Sequence, residues 1–129
     1  MPRIRSVFVM LATIPTLALA QTAPPFLGHW SAKSVSRVSG AALVIDLVLA
    51  DSGSTWTYTP IGGKDNPCFK KSFPVTVIAQ TDAEMKLQVD GSKALEGCPD
   101  FVVEMKRVDE KTYEAQFVDG RRLNFSRVQ

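Results

Sequence analysis

The chain has 129 residues, 45% hydrophobic, 22% charged and 9% aromatic, with a formal net charge of +2, the size and composition of one globular domain and not of a disordered or low-complexity chain. All thirteen acids follow residue 21 while Arg3 and Arg5 precede it, so the remainder is electrically neutral and lacks the basic excess that non-specific nucleic-acid binding requires. One histidine and two cysteines are also too few for the usual multi-ligand zinc site.

Arg3 and Arg5 are followed by an uncharged apolar run from Val7 to Leu17 and then by Ala18-Leu19-Ala20. A basic start, a short apolar stretch and a small-x-small site, in that order, predict a signal peptide over residues 1–20 with cleavage after Ala20. The run is shorter than the span of about 20 residues that crosses a bilayer, and Pro15 interrupts it. Gln21, not cysteine, would follow the cut, so no lipid anchor or other membrane anchor is expected. The mature product is then periplasmic or extracellular. Residues 21–27 hold Pro24 and Pro25, which fix φ and remove donors, and read as an extended arm ahead of a single domain over residues 28–129.

From Trp30 onward the hydrophobic pattern has period two, and helical periodicity is absent. Leu43, Ile45, Leu47 and Leu49 alternate with Val44, Asp46 and Val48, and Trp56 and Tyr58 alternate with threonines. Further runs follow at Val75–Ala79, Met85–Val89, Phe101–Met105, Tyr113–Phe117 and Leu123–Arg127, parted by turn residues such as Asp90-Gly91 and Asp119-Gly120. Asp-Gly between alternating strands is a hairpin signal. Eight strands joined by short turns predict an all-β fold, an antiparallel up-and-down barrel that leaves no open edge. A two-sheet β-sandwich is the alternative.

Export makes Cys68 and Cys98 readable as a disulfide. In an up-and-down meander the two long connections, near residues 62–73 and 90–100, emerge at the same end with one hairpin between them. Each carries one cysteine, so a bridge closes there without distorting the barrel. The loop of thirty residues that it closes corresponds to roughly 3–4 kcal/mol in the chain-entropy model.

Gly28-His29-Trp30 opens the first strand, and Arg127 lies near the end of the last with the parity of Leu123 and Phe125. This resembles the signature of the calycin superfamily of β-barrels, which includes lipocalins, avidins, fatty-acid-binding proteins and the small bacterial secreted metalloproteinase inhibitors. By size and compartment the inhibitors are nearest. The resemblance implies barrel closure by Gly28, Trp30 and Arg127, with Trp30 as the floor and the basic side chain packed over it. It also implies an N-terminal arm that enters a target's active site.

Candidate chemistry is sparse. His29 is the only imidazole, spacing places no serine, cysteine or acid beside it, and its parity opposes Trp30, toward solvent. Asp65 and Asp100 flank the cysteines and could form a carboxylate pair of the kind glycosidases use, although Asp65-Asn66-Pro67 and Pro99-Asp100 are also ordinary turn chemistry. The aromatics Trp30, Trp56, Tyr58, Tyr113, Phe117 and Phe125 read as core in preference to the lining of a ligand cavity, since an eight-stranded barrel is just wide enough to be filled by side chains. The disulfide end collects Arg37, Lys64, Lys70, Lys71, Lys93, Arg121 and Arg122 against Asp65, Asp90, Glu96, Asp100 and Asp119. Long stapled loops on a rigid scaffold are where binding tends to be carried. Lys64, Phe69, Lys70, Lys71, Phe73 and Lys93 are therefore the candidate partner surface.

These readings converge on an exported, non-catalytic binding protein without cofactor or metal, and without nucleic-acid partner. Inhibition or neutralisation of a secreted hydrolase through the loops or the arm leads. A small-ligand carrier of lipocalin type is the alternative, and a weak hydrolase using paired carboxylates the second alternative. Intact mass of the exported protein under non-reducing conditions is expected to show a chain beginning at Gln21 with both cysteines oxidised. An uncleaved chain, or two thiols open to alkylation, contradicts the export reading.

Overall fold

The structure, a computed structural model, describes residues 9, 10, 12, 26–36, 40–62 and 66–129. The expected cleavage site, the arm as far as residue 25, Arg37, Lys64 and Asp65 lie outside the described residues. The strands are β1 (Gly28–Val35), β2 (Ala42–Leu49), β3 (Ser54–Pro60), β4 (Phe73–Gln80), β5 (Glu84–Asp90), β6 (Asp100–Asp109), β7 (Thr112–Phe117) and β8 (Arg122–Arg127). Each pairs antiparallel with the next, and β8 returns to β1, where Trp30 lies opposite Arg127 and Ser31 opposite Ser126. The sheet is therefore one closed barrel in sequence order, and the sandwich alternative does not apply.

Period-two alternation translates directly into burial, because successive side chains of a strand face opposite sides of the sheet. Leu43, Ile45, Leu47 and Leu49 of β2 point inward, as do Met85, Leu87 and Val89 of β5, and Tyr113, Ala115 and Phe117 of β7. Trp30, Trp56, Phe73 and Phe125 are the largest side chains with no accessible surface. They fill the barrel interior, with Trp56 set edge-on to Phe101 at 5.4 Å between ring centroids.

The register slips once between Val77 and Ala79, where β4 pairs β5, and once between Arg107 and Asp109, where β6 pairs β7. The extra residues, Ile78 and Val108, are exposed. Bulges of this kind raise the local twist and bend a strand, and both lie toward one end of the barrel, the floor.

Gly28, Trp30 and Arg127 meet at that floor. The Arg127 guanidinium carbon stands 4.3 Å from the Trp30 ring centroid, and Arg127 Nη1 donates to the Leu27 carbonyl at 2.8 Å. Trp30 Nε1 donates to the Phe26 carbonyl at 2.8 Å, and its ring meets Tyr113 edge-on at 4.8 Å. Gly28 has φ +132°, and a Cβ there would sit 2.6 Å from Arg127 Nη1. Glycine is needed both for the backbone conformation and for the approach of the arginine.

One element departs from the sequence reading. Asp90-Gly91 does not make a hairpin turn; a single helical turn, α1 (Gly91–Ala94), begins there. Gly91 is buried and donates its N–H to the Pro99 carbonyl at 3.1 Å. A Cβ on Gly91 would collide with that carbonyl and stand 3.0 Å from the Phe73 ring. Close backbone approach, not positive φ, is what requires glycine at this position. Trp30→Ala is expected to lower stability by about 3–5 kcal/mol as a large-to-small core change. Gly91→Ala is expected to lower it by about 1–3 kcal/mol through overpacking. Urea melts measure both, and a Gly91→Ala protein as stable as the parent contradicts the packing described here.

Candidate functional site

The end opposite the floor is the mouth, where β1, β3, β5 and β7 finish. Its shape follows from a short seam. β3 and β4 pair only through Ser54–Val75, Thr55–Pro74 and Trp56–Phe73, and proline offers no N–H to lengthen the ladder. Beyond the seam the chain turns over the mouth. Asn66 Oδ1 accepts the Cys68 N–H at 2.9 Å, and Lys70, at φ 62°, donates its N–H to the Tyr58 carbonyl at 2.7 Å. Left-handed backbone at a lysine carries strain that the surrounding contacts must hold.

The Cys68–Cys98 disulfide, with Cα atoms 5.7 Å apart, ties this loop to the one that follows α1. The second loop is tightened by Leu95 N–H to the Gly91 carbonyl at 3.2 Å and Cys98 N–H to the Leu95 carbonyl at 3.1 Å. Together the loops raise the barrel wall above the strands and border an open cavity of about 480 Å³. Its lower wall is Leu43, Ile45 and Leu123 and its upper wall includes Phe69 and Leu95, with Tyr58, Phe117 and Arg121 at the side.

The aromatics therefore divide. Trp30, Trp56, Tyr113 and Phe125 are core, Phe117 is core and also borders the cavity, and half-buried Tyr58 faces the cavity. Burial raises the Tyr58 hydroxyl above its ordinary pKa, an effect partly offset by the Trp56 indole N–H and by the charge of Arg121. The phenol stays protonated at neutral pH. Trp56 Nε1 lies close enough to favour the Tyr58 oxygen yet makes no hydrogen bond of good geometry, and is the buried side-chain donor without an acceptor among the described residues.

Of the candidate partner surface, the structure keeps only part together. Phe73 is a correction: it has no accessible surface, because it is the first inward position of β4 and packs on Tyr58 at 5.8 Å. Phe69 is half-buried and lines the cavity instead of standing out as an anchor. Lys70, Lys71 and Lys93 are exposed, and Lys93 reaches Asp90 at 3.3 Å. Lys64 lies outside the described residues.

Asp100, at the start of β6, binds back to Ser92 of α1. Oδ1 accepts the Ser92 N–H at 2.9 Å, and the Ser92 hydroxyl donates to the same carboxylate at 2.7–2.8 Å. These bonds hold its pKa below the ordinary value, the reverse of what a general acid needs. The intended partner, Asp65, is outside the described residues.

His29 does have an acid beside it, contrary to what spacing suggested. Its Nε2 lies 2.7 Å from Asp46 Oδ1 on the outer face of the barrel. Register supplies the contact: His29 is opposite Val48 and Ser31 opposite Asp46, so Asp46 is the diagonal neighbour on the same face. The pair is partly exposed, at 41% and 32% of the side-chain surface, and is far along β1 from the cavity. No group of three or more histidines, cysteines and acids able to hold a metal occurs among the described residues.

Arg121, one more cation at the disulfide end in the sequence, is the cation of the cavity wall among the described residues. Its guanidinium carbon lies 5.1 Å from the Phe117 ring centroid. Fold and site together define an up-and-down β-barrel with a packed floor and an open, disulfide-stapled mouth. Comparison with family models, curated proteins and solved structures finds no match.

Proposed function

We propose that this is an exported, non-catalytic binding protein that holds a small, largely apolar ligand in the mouth of its barrel. The observation that carries this reading is the cavity of about 480 Å³ standing above a filled core. Pockets for small organic ligands run from about 300 to 1,000 Å³ with mostly apolar walls and a few polar groups. The disulfide supports the same reading, because walls ordered before binding lose less entropy when a ligand enters. A disulfide is also compatible with the oxidising compartment to which the leader of residues 1–20 would direct the chain. Phenylnaphthylamine, an uncharged apolar fluorophore, is expected to bind with one site per chain. Leu123→Trp fills the cavity from a half-buried position and is expected to abolish that binding while the cooperative melting transition is retained. A parent protein that shows no saturable binding rules the reading out.

A second reading, inhibition of a secreted hydrolase through the arm, is favoured by the way the arm is rooted. Phe26 is buried, and the Phe26 and Leu27 carbonyls are held by Trp30 and Arg127. A fixed base at Phe26 and Leu27 lowers the ordering cost of docking through the residues that precede it. If a hydrolase partner is isolated with the mature chain, deletion of residues 21–25 is expected to abolish inhibition and leave phenylnaphthylamine binding intact. Inhibition that survives the deletion excludes the arm.

A further inference from the structure

We infer that the ligand of the mouth is an organic anion, an apolar body bearing one carboxylate, sulfonate or similar group, received by the Arg121 guanidinium beside the Tyr58 hydroxyl. The inference rests on the cavity being a ligand site and adds the chemistry of what fills it.

Arg121 is held from two directions. Asp119 Oδ2 accepts from Nε at 2.9 Å, and Asp119 Oδ1 accepts the Arg121 backbone N–H at 2.9 Å. The guanidinium plane is steadied by Phe117 beneath it. This bracing occupies the Nε edge. The Nη groups make no hydrogen bond to the described residues, although a guanidinium offers five donors in a fixed fork. Leu43, Ile45, Phe117 and Leu123 form the apolar side of the same cavity, while Ser34, Ser36, Asn66 and Glu96 line it with polar side chains, none of them bonded to Arg121 among the described residues.

A guanidinium edge with no partner among the described residues, set beside Phe117 and Leu123, is costly to desolvate unless an anion meets it, and a bidentate carboxylate or sulfonate matches its geometry. Tyr58, kept protonated by burial and within the electrostatic reach of Arg121, supplies a second donor on the same wall. The acids nearby do not fill this role. Asp119 takes the Nε edge, the two side chains being 35% and 38% exposed, and Glu96, exposed on the loop after α1, lines the same cavity but makes no ion pair with Arg121 among the described residues. Charges in water are screened, whereas a ligand anion held among the walls is screened much less.

Anilinonaphthalene sulfonate and phenylnaphthylamine share one aromatic body and differ by the sulfonate, so the pair isolates the charge. The parent protein is expected to bind the sulfonate about tenfold more tightly, the scale of one charge-assisted hydrogen bond. Arg121→Gln is expected to erase the preference, read as the ratio of the two affinities within the same variant, while Arg121→Lys retains part of it. Tyr58→Phe is expected to reduce the preference without erasing it. Equal affinities in the parent overturn the inference, as does a preference that survives Arg121→Gln or that is lost in Lys70→Gln/Lys71→Gln instead. Those outcomes leave the cavity reading standing, whereas failure of phenylnaphthylamine to bind the parent removes the cavity reading itself.

Discussion

The packing of Arg127 over Trp30 is the contact on which the rest of the barrel depends. β1 and β8 are the first and last strands, and only two residue pairs join them. A ladder that short holds a seam poorly, and the arginine adds to it from both sides. Its guanidinium lies on the indole face, a contact worth roughly 0.5–2 kcal/mol according to how well it is desolvated, and it holds the Leu27 carbonyl of the incoming chain. The absent side chain at Gly28 makes room for it. A closed seam leaves no strand edge between β1 and β8, and the indole and guanidinium pack the centre of the floor.

The two ends of the barrel make opposite uses of the same residue types. At the floor, aromatic and basic side chains satisfy one another: Trp30 N–H finds the Phe26 carbonyl, and Arg127 finds an indole and a carbonyl. At the mouth, Phe117 and Arg121 form a similar stack, but the short β3–β4 seam and the stapled loops leave space in front of it. The disulfide is placed where the sheet contributes least order. Without it, the loop carrying Asn66 and Phe69 would be tied to the barrel chiefly by Lys70 N–H on the Tyr58 carbonyl. The cross-link therefore secures the cavity wall more than it secures the strands, which carry their own register.

Much of this architecture was legible in the chain. Period-two alternation fixes which side chains of a strand share a face, so strand number, core parity and the pairing of Cys68 with Cys98 could be read from order and turns alone. Gly28, Trp30 and Arg127 group only through their resemblance to the calycin signature, since alternation along the strands does not pair them. Asp119-Gly120 behaves as its composition suggests, with Gly120 at φ 90°, whereas the identical dipeptide Asp90-Gly91 opens a helical turn. The same two residues permit either outcome, and the approach of Pro99 and Phe73 decides between them.

What only the tertiary structure decided depends on distances across the barrel. Register slides Asp46 next to His29, a contact that no spacing along the chain encodes. Phe73, apolar at the edge of a loop, belongs to the core because the three-residue seam with β3 makes it an inward strand position. The cavity arises above the strands, where cross-linked loops add height that strand length does not supply. Alternation is local and survives translation into sequence; the space between two loops, and the direction in which Arg121 faces it, exist only once strands distant in the chain have closed on one another.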